Sequence, residues 1–380
     1  MNDAVKPSFL LGPVREPIDR DVSKRIDILR IILIGLIVLA HGARGITVRI
    51  ADSGGTGPVA DLMVNILNGH VDFVAVPLFF TISGFLFLRK FELTLPAYGE
   101  MVRSKFISLL IPYVLFNGLL AAWFYCVGSI EMMGSWGFLQ SEGLVTKILG
   151  LGTTPVNYPL WFLRDLLVVF LLSPVLLLFF KEAPGVGLIT LFVLWAGMDP
   201  APYSYYGDFF AFYLGGYLAR TRLPLAGVSW WQRAGAWLFV GLTIVLVAHQ
   251  PLGITVDSVR LFLFKCNLVL GLVFFWRISA FSFIRDSAVL HSMARHSFFV
   301  YLAHEPTMSI LQTRLLAVWK PVGDLQQIAF YWLSGLTVIV LLWGLGEVLS
   351  RLVPAVYAVA TGARRSARRP APPLAATSGE

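Results

Sequence analysis

Ten stretches of this sequence are apolar enough to lie inside a bilayer: residues 26–46, 68–89, 106–128, 160–181, 186–200, 204–220, 230–249, 257–277, 296–316 and 328–351. A run of about 20 apolar residues crosses the hydrocarbon as a helix. Only 14% of the 380 residues are charged and 57% are hydrophobic, whereas about a quarter of a soluble domain is charged. The runs are continuous and rich in Leu, Ile, Val and Phe, unlike the short alternating segments of a membrane β-barrel. The sequence therefore predicts an all-α polytopic membrane protein of about ten transmembrane helices. The fifth and sixth spans are short and are joined by the tight segment "MDPAPYSYYGD".

Positive charge orients these spans. With the N-terminus inside, and basic residues near span edges counted with the adjoining segments, 20 Lys and Arg fall inside, six outside and four within spans. Basic loops resist translocation, so the asymmetry predicts that both termini are cytoplasmic. Residues 1–25 read as a basic cytoplasmic segment, 26–352 as the membrane domain, and 353–380 as a basic, then Pro/Ala-rich tail without a fixed fold. The first span reads as a retained helix rather than a signal peptide, since "HGARG" is a poor cleavage site. No basic patch alternates with stacking aromatics, so nucleic acid is not an expected partner. Cys126 and Cys266 lie in apolar segments, and no spacing suggests a metal site. In the outside loop, "WGFLQSEGLVTKILGLG" has the character of an interfacial segment.

Ionisable side chains inside spans are costly and mark functional positions. Arg30 and His41 are eleven residues apart, a rotation of about 1100°, so they share one helix face about 16 Å apart. Asp27 precedes Arg30 by three residues and can pair with it. His304 and Glu305 occupy the ninth span beside Pro306, and point about 100° apart. Arg164 and Asp165 sit near the outer end of the fourth span, as a surface anchor or a grip on a polar acceptor. Lys265 is deep in the eighth span and needs a partner. Ser83-Gly84 interrupts an apolar span, as a close helix approach or a place where backbone meets a ligand. Glu347, at the inner end of the last span, is the most ordinary of the set. Alone, each of these has a structural reading as an ion pair or a snorkelling group.

Taken in order, the residues resemble a known family. An arginine with ten residues between it and a histidine on the first span, then "FFTISGFLF", "WFLRDLL" and "SFFVYLAHEP", are similar to the acyltransferase-3 family of integral membrane O-acyltransferases. The likeness runs from about residue 24 to 350. It implies transfer of an acyl group, acetyl in many members, from cytoplasmic acyl-CoA to a sugar hydroxyl of an exopolysaccharide or other envelope glycan. It also implies an inner-membrane location, a glycan or lipid-linked sugar acceptor and polysaccharide-synthesis partners. Acyl-CoA is then a co-substrate, and no cofactor is implied. The family's arginine and histidine map onto Arg30 and His41. The "FFxxSGF" element maps onto Phe79, Phe80, Ser83, Gly84 and Phe85, and the late "YLxH" element onto Tyr301 and His304. Two departures stand out. Asp72 is displaced from the aspartate that many members place before the phenylalanine pair, and Arg103 and Lys105 in "RSKF" replace an RxxR pair. Some members add a C-terminal esterase-like domain, where this chain has its basic tail.

O-acyl transfer needs a base, oxyanion stabilisation and a grip on CoA. His41 is the expected base, since imidazole titrates near neutral pH. Its orienting partner is left open among Asp72, Asp165, Glu305 and Asp208. Arg30 suits the phosphate or pantetheine of the donor, with Arg103 and Lys105 nearer the cytoplasm. Ser83 or Lys265 could face the oxyanion. Two other classes compete: a transporter or flippase of glycan intermediates, and a non-catalytic partner in a polysaccharide-synthesis complex.

Overall fold

The computed structural model of the chain describes residues 14, 16–47, 55–130, 133–199, 201, 204–221, 225–248 and 257–362. The tail from 363 and most of the first 15 residues lie outside the described residues. A helix falls on each of the ten expected spans, and the only strand-like pairing among the described residues is an isolated bridge between Ile130 and Gly134.

The first crossing is α1 (Arg20–Thr47). The second is α2 (Pro58–Ile66), a π-helical turn Leu67–Val71, a 3-10 turn Asp72–Val74 and α3 (Ala75–Leu88). The third joins α4 (Leu95–Lys105) through another π-helical turn to α5 (Ile111–Cys126). The expected interfacial segment forms two short helices, α6 (Trp136–Glu142) and α7 (Leu144–Leu149). Then come α8 (Trp161–Leu171), α9 (Ser173–Glu182), α10 (Pro184–Val193), α11 (Tyr205–Arg220), α12 (Trp230–Ala248) and α13 (Asp257–Ile278). The last described helices are α14 (Ser282–Arg285), α15 (Ala288–Ala294), α16 (Ser297–Val318), α17 (Gly323–Leu352) and α18 (Pro354–Ala360).

Six described segments are long and apolar enough to cross a bilayer: Arg20–Ala43, Pro58–Leu88, Leu95–Cys126, Trp230–Ala248, Ser258–Ile278 and Gly323–Leu352. The pair Tyr158–Leu171 and Ser173–Phe180, bent by 53°, is long and apolar enough when the two helices are taken together. Pro174 stands at the bend, where its missing N–H and fixed φ suit a helix start. The remaining expected spans are weaker by composition. Pro184–Met198 and α11 are short, and α16 carries His304, Glu305, Gln312 and Arg314.

Backbone groups in hydrocarbon must be satisfied within the protein, and basic side chains do much of this where helices end. Arg25 is fully buried and donates to the carbonyls of Leu225 (3.0 Å), Gly227 (3.2 Å) and Trp276 (2.5 Å), with its guanidinium 4.0 Å from the Trp276 ring. Arg220 donates twice to the Leu88 carbonyl and once to that of Phe91. These residues define a basic end of the bundle. There His296 Nε2–H donates to Glu347 (2.8 Å), while its Nδ1 meets the Tyr357 hydroxyl (2.8 Å). Glu347 is thus structural, as its position suggested.

The Ser83-Gly84 interruption is a packing device. A Cβ on Gly84 would stand 1.9 Å from the Phe212 carbonyl oxygen, and one on Gly215 would stand 1.9 Å from that of Thr81. The two glycines let α3 and α11 interlock backbone to backbone. Gly84→Ala is expected to destabilise the bundle by about 1–3 kcal/mol, the usual cost of overpacking. Gly118→Ala, where a Cβ meets nothing within 4 Å, is expected to be neutral or slightly stabilising. Thermal unfolding in detergent checks this, and equal shifts for the two would contradict it.

Candidate active site

His41 and His304 face each other between α1 and α16, with ring centroids 5.1 Å apart and planes tilted by 34°. The aligned face of α1 therefore meets the late histidine directly. His41 Nδ1 lies 2.9 Å from the hydroxyl of Tyr158, which enters from the turn before α8. His304 Nδ1 lies 2.6 Å from the Tyr301 carbonyl. A carbonyl only accepts, so Nδ1 carries the hydrogen and Nε2 holds the lone pair. That Nε2 is buried without a hydrogen-bond partner among the described residues. Tyr301 closes the other side, with its ring 5.8 Å from His304 and its hydroxyl donating to the Pro159 carbonyl at 2.5 Å.

Backbone chemistry fixes this geometry. Pro306 has no N–H, so the carbonyl four residues earlier, on Leu302, loses its helical partner. Asn157 Nδ2 donates to that carbonyl at 3.0 Å. The Asn157 backbone N–H donates to Asn117 Oδ1 at 2.8 Å, and Asn117 Nδ2 donates back to Tyr113 in its own helix. Asn157 is 2% exposed, and it holds Tyr158, its neighbour, against His41. From two further sides, Asn68 Nδ2 donates to the Ala40 carbonyl (2.7 Å) and Gln312 Nε2 to the Gly42 carbonyl (2.7 Å). The turn of α1 that carries His41 is thus clamped on both flanks.

Similarity to known proteins shows the family. A sequence model described as an acyltransferase domain matches residues 23–347. The chain belongs to the acyltransferase-3 family. A similar protein is the succinoglycan biosynthesis protein ExoH of Rhizobium meliloti (strain 1021), 27% identical over 378 residues, covering 95% of this chain and 98% of that protein. No solved structure matches. The protein is a multi-pass membrane acyltransferase.

The other candidates of this acyltransferase fall in several places. Arg30 pairs with Asp27 at 2.9 Å, as their spacing predicts, and stays 40% exposed. Glu305 is 3% exposed and accepts from Ser309, turned away from the histidine beside it in the chain. Asp72 lies on the 3-10 turn, within electrostatic range of Tyr331, which bonds to Asn68. Arg164 donates to Asp165 (2.7 Å) and to the carbonyls of Gly150 (2.7 Å) and Thr153 (2.9 Å), fixing the loop that leads into Asn157 and Tyr158. Lys265 is fully buried and donates to the carbonyls of Trp195 (2.6 Å) and Asp199 (2.5 Å), so its partners belong to the π-helical turn Leu194–Met198 that follows α10 and to the residue after it. Ser83 is half-buried beside the Gly84 contact. Arg103 is exposed and lines a cavity of about 330 Å³ with Glu100, Ser104 and Ser108. Lys105 points instead at aromatic rings, 3.7 Å from Phe170.

Tyr158, Asn157, Asn117 and Gln312 carry no intrinsic signal in the sequence, since one polar residue in a loop or apolar helix has many readings. Pro306 was the available clue, because a proline inside a span requires a donor elsewhere. Asn157→Leu should cost about 1–3 kcal/mol by leaving the Leu302 carbonyl unsatisfied. Pro306→Ala restores the helical N–H and should recover much of that loss in the double variant. Unfolding midpoints of the two single variants and the double variant test this, and simple additivity would contradict it.

Proposed function

We propose that this enzyme transfers an acyl group, acetyl first among the candidates, from acyl-CoA to a hydroxyl of an exopolysaccharide or other envelope glycan. In this reading it resides in the inner membrane with its basic end in the cytoplasm. The observation that carries the chemistry is the His41–His304 pair, with Tyr158 on one ring and a buried lone pair on the other. The relative named for succinoglycan biosynthesis supports a polysaccharide acceptor.

The reaction follows from these positions. His41 takes the acceptor hydroxyl proton at Nε2 while the Tyr158 oxygen accepts from Nδ1–H. The hydroxyl oxygen attacks the thioester carbonyl carbon, the tetrahedral intermediate collapses, and the C–S bond breaks. The proton passes from the imidazolium to the departing thiolate. His304 Nε2 is placed to accept a hydrogen bond beside the cation that forms. Arg30 lies about 16 Å nearer the basic end along the same face, where a guanidinium suits the phosphate end of an extended donor. Arg103 offers a second positive charge at the surface. In this assignment Lys265 and Arg164 serve the scaffold, and oxyanion stabilisation is left to donors near the histidine pair.

His41→Ala, with insertion verified, should lower glycan acyl content by about 10²–10⁴-fold, the range for a general base, while polymer export continues. Tyr158→Phe should lower it less. Glycan mass spectrometry and a separate export assay check this. Normal acylation in His41→Ala would contradict the base assignment, and lost export with intact acylation would favour a transporter.

A further inference from the structure

The end of the bundle opposite the basic residues holds polar groups that the mechanism above does not use. They surround Arg164. Its guanidinium is committed to Asp165 and to the Gly150 and Thr153 carbonyls, and Tyr205 lies within electrostatic range of Asp165. Asp208, one turn into α11, lies within electrostatic range of both Arg164 and Asp165. It is 3% exposed, yet its Oδ2 is buried with no hydrogen-bond partner among the described residues. Tyr113, on α5 and within range of Arg164, Asp165 and Tyr205, is also 3% exposed, and its hydroxyl is likewise buried and unpartnered. Gly150 is packed against it, so that a Cβ there would come within 2.8 Å of the hydroxyl.

Two unsatisfied polar groups around one ion pair are costly in a membrane protein, where water cannot freely compensate. Their chemistry specifies what would satisfy them. A carboxylate needs donors, and a phenol both donates and accepts. Two carboxylates against one committed guanidinium disfavour an anionic ligand. Neutral hydroxyl groups fit both demands. At the same helix start Tyr205 and Tyr206 are 45% and 51% exposed, offering ring faces to the C–H surface of a sugar. Tyr301 connects this cluster to the reaction centre: it lies within range of Asp165 and Tyr113, and its ring is 5.8 Å from His304.

We propose that Asp208 and Tyr113 form a sugar-hydroxyl subsite that holds a neutral sugar residue of the acceptor beside the histidine pair. This deepens the glycan-acyltransferase reading and rests on it.

The test uses the full chain in lipid nanodiscs and an oligosaccharide cut from the polysaccharide of a strain lacking this gene. Binding is measured by saturation-transfer NMR, and transfer from acyl-CoA is measured separately. Asp208→Asn should weaken oligosaccharide binding and raise the acceptor KM at least about ten-fold, as for a lost hydrogen bond to a charged group. Tyr113→Phe should weaken binding about five-fold while raising the Tm, because it deletes a buried hydroxyl that has no partner in the free protein. Wild-type-like binding in both variants, or no binding by the wild type, overturns the subsite. Wild-type protein that binds the sugar, loses binding in Asp208→Asn and yet transfers no acyl group supports the subsite and contradicts the transferase reading instead.

Discussion

The carbonyl of Leu302 has no helical partner, because the residue four positions on is Pro306. In water this would matter little. Inside a bilayer a bare carbonyl needs a donor from the protein, and Asn157 supplies it. That one bond joins the turn before α8 to the middle of α16. It also delivers the next residue, Tyr158, to His41. The demand of a backbone group thus places a side chain of the proposed reaction centre. The same constraint recurs at the basic end, where Arg25 and Arg220 serve carbonyls, and at the π-helical turn Leu194–Met198, where Lys265 does so.

The site built on this frame divides its work between two histidines. One has its Nδ1 at a phenol, a partner able to donate or accept as the ring changes protonation. The other has its Nδ1 at a carbonyl, which fixes the tautomer and leaves a lone pair at Nε2. Two similar rings 5.1 Å apart therefore differ in what they can do. In the proposed reaction, Arg30 lies on the donor side of the pair and the Arg164–Asp208 cluster on the acceptor side.

Most of the helical content was legible in the sequence, because a bilayer demands long apolar runs and a helix falls on each of the ten. The face shared by Arg30 and His41 followed from helical phase, and the Asp27–Arg30 pair from its spacing. What joins the helices was not legible. Lys265 in an apolar span reads the same whether it serves a ligand or a carbonyl, and only the position of Trp195 decides. Ser83-Gly84 likewise allowed a ligand contact or a packing contact, and the carbonyl of Phe212 shows the packing contact at Gly84. Asn157 and Tyr158 lie in a loop of ordinary composition, and their role depends on a carbonyl freed nearly 150 residues later. The meeting of His41 with His304 required the tertiary fold, although the family resemblance had marked both.

The central claim is that His41 and His304 act as one unit. Acyl-transfer rates of His41→Ala, His304→Ala and the double variant, each reconstituted at equal amounts, test it most directly. Residues that act together give losses that do not multiply. The account expects the double variant to be no slower than the more damaged single variant. A double variant slowed by the product of the two single losses would contradict it.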